Sequence, residues 1–301
     1  MLLPLADMAH PTTGQERWEF MPELPEVETI RRQLSPQVVG REIIASSAFE
    51  SDRFLEAVLA IGAHIESVSR RGKYLIFSLS AGQELIVHLG MTGALQVAPT
   101  LTEDPYCRAW WKLSATSGQQ MFLTFRDIRR FGKIAVVAAD DYSRLPTLRD
   151  LGPEPLSEDF TPDWVREFVN RRSRFLKTHL LGQRLVAGVG NIYADEALWR
   201  AAINPSDRSI SRRHATLLVE HLREVLASSI EHGGTTFRDY VNANGARGGH
   251  QHHLDCYGRA GEPCRRCGTT LTKGVLDART STWCPACQPR RRRPAPSSAR
   301  T

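Results

Sequence analysis

Short apolar runs separated by turn residues fill the chain from Gly40 to about Val137. Many short strands with regular turn signals are typical of an antiparallel β-sandwich and not of a parallel α/β sheet. The runs predict five strands, Tyr74–Leu79, Glu84–His88, Ala94–Val97, Met121–Phe125 and Lys133–Val137, broken by turns at Gly82, Gly90 and Gly118. A proline-punctuated start with glutamates at its positive end predicts a helix ahead of them, from Glu26 to Leu34.

The periodicity becomes helical in the second half of the chain. A polar, proline-rich connector, residues 138–162, precedes the change, and we place a domain boundary there. The clearest helix signal runs from Ser211 to His232, where apolar residues recur three and four positions apart behind a serine N-cap. Further helices are predicted at Asp163–Asn170, Leu176–Leu181, Ile192–Ala202 and Thr236–Val241. Residues 242–253 show no periodicity and are predicted to form a loop.

Composition narrows the class of protein. At 301 residues the chain is long enough for two domains and a small module, and its 41% hydrophobic content is ordinary for a globular protein. It has no run of eighteen apolar residues, which excludes a membrane-spanning helix. Lys and Arg number 39 against 33 Asp and Glu, and this positive balance suits a polyanionic partner.

Four of the six cysteines form two pairs, Cys264-x2-Cys267 and Cys284-x2-Cys287, with sixteen residues between the pairs. This spacing predicts a zinc ribbon that holds one structural Zn²⁺, because four thiolates leave no open position for catalysis. A hairpin of Thr270–Leu276 and Thr282–Trp283 is predicted between the pairs, with Arg279 projecting near its tip. Cys107 and Cys256 are interpreted as ordinary reduced thiols, and the cysteine usage as a whole predicts a cytoplasmic protein.

The most informative chemistry lies at Met21-Pro22-Glu23. If Met21 starts the chain and is removed, Pro22 presents a secondary α-amine, which titrates near pH 8 and is partly neutral and nucleophilic in cells. Condensed with a sugar aldehyde carbon, this amine gives an iminium that acts as an electron sink. We therefore interpret residues 1–20 as untranslated, since they lack the cationic start and the long apolar run of a signal peptide. A processed leader is the alternative.

The stretch that continues from Pro22 through Leu24, Pro25 and Glu26 to Thr29 resembles the start of the formamidopyrimidine-DNA glycosylase family. Further motifs carry the same resemblance: His88–Gly93, Arg129–Gly132, Gly188–Asn191 and the cysteine finger. The resemblance implies an α+β multidomain fold with an N-terminal antiparallel β-sandwich and N-terminal helix, a helix-two-turn-helix domain and a β-hairpin zinc finger. It places an extension at 1–21, the catalytic domain at 22–138, a linker at 139–162, the helical domain at 163–253, the finger at 254–288 and a basic tail at 289–301.

The resemblance also implies an activity, a partner and residue roles. We expect excision of oxidised purines from double-stranded DNA containing oxidised bases or abasic sites, with lyase cleavage of the strand, by a monomer that needs no organic cofactor and no membrane. The implied catalytic residues are Pro22, Glu23, Lys73 and Arg279. Met91, Arg129 and Phe131 match the family's wedge, which fills the gap left by an extruded base. The other implied DNA-binding residues are Glu26, His88, Arg174, Lys177 and Asn191.

Two alternatives stay open at this stage. Leu24 occupies the position where glycosylases for oxidised pyrimidines typically have glycine, so it favours the purine branch over that rival. A noncatalytic zinc-ribbon DNA-binding protein would keep Arg279 and Asn191 but would not need a free Pro22.

The amides of Gly188–Asn191, which open a predicted helix, are expected to bind phosphate. Residues 105–110 replace a His-rich segment of many family members, which puts that DNA contact in doubt.

Overall fold

The computed structural model describes residues 21–116, 119–237 and 240–290. Helix α1 (Leu24–Val38) opens the fold, and eight strands follow: β1 (Ile43–Ala48), β2 (Ile65–Arg71), β3 (Tyr74–Leu79), β4 (Gln83–His88), β5 (Gly93–Ala98), β6 (Cys107–Thr116), β7 (Gln119–Asp127) and β8 (Lys133–Ala138). They form two four-stranded antiparallel sheets with the orders β1-β6-β7-β5 and β2-β3-β4-β8. The predicted antiparallel β-architecture is confirmed; the predicted turn at Gly118 lies outside the described residues.

Three strands, β1, β2 and β6, were not predicted. β1 and β2 are edge strands, and both carry serines with only a few buried positions. Their apolar pattern is therefore weak, whereas the central strands β3 and β4 bury runs of consecutive apolar residues. Helix α1 extends beyond its predicted end at Leu34 to Val38, because Val38, one turn after Leu34, is also fully buried in the main apolar core.

The second half of the described chain is helical, as expected: α2 (Pro146–Arg149), α3 (Pro162–Asn170), α4 (Leu176–Leu181), α5 (Asn191–Arg200) and α6 (Arg212–Glu231). The predicted cap of α6 is confirmed, because the Ser211 side chain accepts a hydrogen bond from the backbone amide of His214. Helix α2 lies inside the connector, where only a polar linker was expected.

The predicted helix at Thr236–Val241 is wrong for its described residues, which are not helical. The amide of Thr235, the residue directly before this segment, donates to Glu26 Oε1 at 2.7 Å. The Thr236 hydroxyl accepts from the Gly248 amide at 2.9 Å. These long-range partners compete with the local hydrogen bonds that would start a helix.

The C-terminal finger is a hairpin of β9 (Thr272–Leu276) and β10 (Arg279–Trp283). Its two-residue turn, Asp277-Ala278, has φ values of 45° and 61°, which are typical of the turns that match strand twist. Arg279 is therefore the first residue of β10. Across the described ranges of the chain, no helix combines the length and the apolar character needed to cross a membrane.

Candidate active site

A cleft of about 760 Å³ is lined by six of the residues predicted from the sequence, one of which is Phe131. Its lining includes Glu23 ahead of α1, Lys73 between β2 and β3, His88 at the end of β4, Asn191 at the start of α5 and Arg279 at the start of β10. These residues come from the sandwich, the helices and the finger. The site is thus assembled by tertiary packing of segments that are far apart in sequence.

Pro22 itself is buried, while its neighbours Met21 and Glu23 both line the cleft. The Leu24 amide donates to the Gly188 carbonyl at 3.0 Å and fixes this segment against the loop before α5. Gly188 has a φ of 81°, and a Cβ there would lie 2.6 Å from Leu24 Cβ. The glycine therefore permits a close approach of the N-terminal segment that a larger residue would prevent.

The carboxylate of Glu23 occupies the N-terminus of α5. Its Oε2 accepts from the Gly190 amide at 2.5 Å and its Oε1 from the Ile192 amide at 2.9 Å. A Cβ on Gly190 would lie 2.3 Å from Glu23 Cδ, so only glycine leaves room for this contact. The expectation that these amides bind phosphate is corrected, because the anion at this helix end is a side chain of the protein.

Burial raises the pKa of Glu23, and the charge of Lys73 together with the Ile192 and Gly190 amides opposes that rise. Glu26 lies directly behind: its Oε2 accepts from the Glu23 amide at 2.8 Å. Burial and the neighbouring Glu23 raise the pKa of Glu26 to about 7. Two carboxyl groups near a cleft, both with raised pKa values, are expected where a proton must be donated near pH 7.

Lys73 and His88 are two basic residues that line the same cleft. Burial lowers the pKa of Lys73, while the charges of Glu23 and Glu26 counteract this. Burial and the Lys73 charge lower the pKa of His88 to about 4, so its ring is neutral at physiological pH. Because the Gly90 amide donates to His88 Nδ1 at 3.2 Å, the ring proton resides on Nε2. His88 can therefore donate one hydrogen bond to an anionic ligand.

Arg279 is exposed on the cleft wall, and the strand that carries it is anchored by a buried ion pair. Lys177 and Asp195 each expose 1% of their side chains, with 2.7 Å between Nζ and Oδ1. The Lys177 ammonium also donates to the Thr280 carbonyl at 2.8 Å, and Asp195 Oδ2 accepts from the Thr282 amide at 2.9 Å. Helices α4 and α5 thus hold β10 by its backbone next to Arg279.

The four paired cysteines fit a zinc ion. All four Sγ atoms lie within 4.8 Å of one another, and Cys267 Sγ lies 3.5 Å from Cys284 Sγ and 3.4 Å from Cys287 Sγ. A tetrahedral Zn²⁺ with bonds of about 2.3 Å requires sulfur atoms about 3.8 Å apart. Cys264, Cys267, Cys284 and Cys287 therefore bind one zinc ion in the finger, where the metal stabilises the hairpin.

The predicted wedge residues lie on two adjacent loops. Phe131 lines the cleft with 46% of its surface exposed, and the Arg129 guanidinium lies 4.8 Å from the centre of its ring. Met91 is half-buried in the loop between β4 and β5. Arg130, between Arg129 and Phe131, has a φ of 58°, a left-handed conformation that is uncommon for a side chain of this size.

Two residues expected to contact DNA have other surroundings. Glu26 is fully buried, and its Oε1 accepts from the Tyr193 hydroxyl at 2.6 Å. Lys177 is enclosed by Asp195 and the finger, as described above. The structure presents neither charge to DNA, and both residues instead connect elements of the fold. Arg174 is exposed, but it does not line the cleft.

Sequence reasoning missed several cleft residues, among them Arg53, Lys133 and Tyr257. Lys133 directly follows the Phe131-Gly132 turn, and that position could have identified it. Arg53 and Tyr257 lie in segments without periodicity, where no local signal marks them.

Comparisons with known proteins give a consistent result. Residues 21–134 match the sequence model of the formamidopyrimidine-DNA glycosylase N-terminal domain, residues 151–241 that of its H2TH domain, and residues 261–290 a zinc finger found in FPG and IleRS. The formamidopyrimidine-DNA glycosylase of Deinococcus radiodurans is 43% identical over 286 residues, which cover 90% of this chain and 98% of the relative. That of Thermus thermophilus is 44% identical over 272 residues, covering 89% and 98%.

Solved structures agree with the sequence matches. The crystal structure of the MutM (Fpg) protein from Thermus thermophilus has a TM-score of 0.82 and 43% identity, covering 90% of this chain and 100% of that one. A Lactococcus lactis Fpg variant in complex with Fapy-dG containing DNA has a TM-score of 0.81 and 35% identity, covering 89% and 100%.

Proposed function

The chain belongs to the formamidopyrimidine-DNA glycosylase family, and from that premise we propose that it removes 8-oxoguanine and formamidopyrimidines from duplex DNA through a Schiff base on Pro22. It is a DNA glycosylase of base excision repair in a family that also has abasic-site lyase activity. One observation supports the finer proposal most strongly. The Glu23 carboxyl, with its raised pKa, is held by two amides at the cleft immediately after Pro22.

The proposal requires Pro22 to be the first residue of the mature protein. The match to the family's N-terminal domain begins at residue 21, directly before Pro22. Relatives covered over 98% or more of their length align with about nine-tenths of this chain. We therefore propose translation from Met21 and its removal, which would place a free secondary amine where Met21 and Glu23 meet the cleft.

The proposed reaction proceeds by substitution and two eliminations. The Pro22 nitrogen attacks C1′ of the damaged nucleotide, and the bond from C1′ to the base breaks. Glu23 donates a proton to O4′ as the sugar ring opens, which leaves an iminium between Pro22 and C1′. This cation acidifies the C2′ proton, so that the 3′ phosphate leaves; loss of the C4′ proton then expels the 5′ phosphate. Hydrolysis of the iminium frees Pro22.

The remaining cleft residues would bind and orient the lesion phosphates. Lys73 and Arg279 supply positive charge, while Asn191 and the neutral ring of His88 supply hydrogen-bond donors. A zinc ion held by the four cysteines would supply folding energy to the finger that carries Arg279, and four thiolate ligands would leave it no open position for a reacting group. Charge-assisted contacts of this kind are the usual means of fixing a DNA backbone in register.

Two observations favour purine lesions over oxidised pyrimidines. Leu24 packs against Gly188 beside the cleft, at the position where pyrimidine-acting relatives typically carry glycine. The similar Lactococcus lactis proteins were crystallised with Fapy-dG containing DNA and with abasic-site DNA. We propose that the chain acts on these substrates as a monomer in the cytoplasm, on nucleoid DNA. Its six cysteines, all in the described part of the chain, form no disulfide with one another, which suits that reducing compartment.

Single-turnover kinetics with a Glu23→Gln variant tests the proposal. On a duplex containing 8-oxoguanine opposite cytosine, this variant should keep DNA binding but lose base release, because the amide cannot donate a proton to O4′. Glu158→Gln, an exposed glutamate away from the cleft, serves as the control and should behave as wild type. Base release by Glu23→Gln at the wild-type rate, or a wild-type preference for oxidised pyrimidines, would contradict the proposal.

A further inference from the structure

The two wedge loops are joined by one buried carboxylate. Asp127, at the end of β7, is fully buried, and its Oδ1 accepts a hydrogen bond from the Thr92 hydroxyl. Its Oδ2 accepts from the Gly132 amide at 2.7 Å. Thr92 directly follows Met91 in one loop, and Gly132 directly follows Phe131 in the other. Each oxygen of this carboxylate therefore holds the loop of a different wedge residue.

The Thr92 hydroxyl makes a second connection. While donating to Asp127, it accepts from the backbone amide of Arg129 at 3.0 Å. The hydrogen bonds thus run from the Arg129 amide through Thr92 and Asp127 to the Gly132 amide, and they enclose Arg130 and Phe131. Arg130 lies inside this ring with a left-handed φ of 58°, a backbone conformation that the surrounding hydrogen bonds help to hold in place.

Close packing of the backbone reinforces the hydrogen bonds. Gly90, with a φ of 66°, contacts the second loop so tightly that a Cβ would lie 2.5 Å from the Phe131 carbonyl carbon. A Cβ on Gly132 would lie 3.0 Å from Asp127 Oδ2. Neither loop can move far without the other, so Met91 on one and Arg129 and Phe131 on the other keep a fixed separation.

We propose that Asp127 and Thr92 are positioning residues that make the two loops one rigid wedge, so that Met91, Arg129 and Phe131 enter the base stack together. The proposal rests on the proposed function only in taking these three side chains as the wedge. Side chains that must enter a gap left by an extruded base work best when their backbone is already fixed, because ordering them on binding would cost free energy.

The test compares Thr92→Val, which is nearly isosteric but lacks the hydroxyl, with Thr92→Ser, which keeps it. On 8-oxoguanine opposite cytosine, Thr92→Val should slow excision by on the order of tenfold, the factor that corresponds to losing one to two ordinary hydrogen bonds. Thr92→Ser should restore the wild-type rate. Cleavage at a preformed abasic site should change little, since no base has to be extruded there.

A background variant separates positioning from a general loss of structure. If Thr92 acts through the wedge, Thr92→Val should add no further slowing to a Met91→Ala/Arg129→Ala/Phe131→Ala protein. Asp127→Asn, which turns one acceptor into a donor facing an amide or hydroxyl, should show the same pattern. Equal losses on both DNA substrates, or additive losses in the background variant, would overturn the proposal.

Base extrusion can also be followed without chemistry. In a Glu23→Gln background, the fluorescence of a 2-aminopurine placed beside the lesion should rise when the protein binds. Adding Thr92→Val should make this rise slower. If wild-type protein released no base, the proposed function would fail, yet the fluorescence would still report wedge insertion. An unchanged fluorescence rise with Thr92→Val would reject the role of Thr92 even in a fully active enzyme.

Discussion

Replacing Lys177 by methionine should loosen the zinc finger in a pH-dependent manner. The ammonium of Lys177 and the carboxylate of Asp195 are both 1% exposed, and together they bind the backbone of β10 beside Arg279. Removing one partner of such a buried pair typically costs about 3–5 kcal/mol, because the other charge is left uncompensated. The variant should therefore be destabilised by about that amount at pH 8, as measured by urea unfolding.

The sign of the pH dependence follows from Asp195. Burial raises the pKa of this carboxyl, and Lys177 is the main group that lowers it. Without Lys177 the folded-state pKa rises further, so the folded protein holds a proton that the unfolded chain releases. A group of this kind weakens stability increasingly as pH rises from its unfolded pKa through its folded pKa. The deficit of Lys177→Met should accordingly shrink as the pH is lowered from 8 to 5.

A second substitution supplies the control. Adding Asp195→Asn to Lys177→Met removes the buried carboxylate charge that has lost its partner. The side-chain amide oxygen of the new residue can still accept a hydrogen bond from the Thr282 amide. The double variant should be more stable than the single one and should lie within about 1–2 kcal/mol of wild type, the value of one lost hydrogen bond. A single variant as stable as wild type at pH 8, or a double variant no better than the single one, would refute the reasoning.

Replacing Cys284 by serine, or chelating the metal, should unfold the finger and weaken DNA binding in a gel-shift assay; metal-free protein with normal affinity would contradict this. Arg279→Ala should lower the slope of log affinity against log salt by about one counterion while zinc content stays constant. Burial opposes ionisation of Glu28, but hydrogen bonds from Arg31 and Arg32 lower its pKa to about 2. Stability that is present above pH 4.5 should therefore be lost on acidification through pH 2, in an amount reduced by solvent screening of the partly exposed arginines. Glu28→Gln should lack that pH dependence. If the stability of this variant fell at acidic pH in the same way as that of the wild type, the prediction for Glu28 would be wrong. Gly190→Ala should displace Glu23 and abolish base release, because the new Cβ would overlap the Glu23 carboxyl carbon. Full activity of this variant would show that base release does not depend on the position of Glu23 at the start of α5.

Much of this architecture follows from local sequence signals. Strand β3 has its predicted bounds, and three consecutive apolar residues at its centre, Leu75, Ile76 and Phe77, are buried. The zinc ligands follow from cysteine spacing, because a small ion demands a fixed set of donors. Capping of α6 by Ser211 is likewise a local interaction, and it was predicted without knowledge of the fold.

Contacts between distant segments escaped prediction. The anion at the start of α5 is Glu23, which lies 167 positions before Gly190. The family resemblance implied that Lys177 binds DNA, but tertiary packing buries it against Asp195 and the finger. A charged residue that points inward leaves no local mark in the sequence, since its partner is specified only by the fold.

The central claim, that Pro22 is the nucleophile, is tested most directly by reducing the protein–DNA intermediate with borohydride and locating the adduct by peptide mass spectrometry. We expect a DNA-derived adduct on the α-nitrogen of Pro22, in a peptide that begins at that residue. An adduct on the Lys73 amine, or a fully active protein whose N-terminal peptide retains Met21, would contradict it.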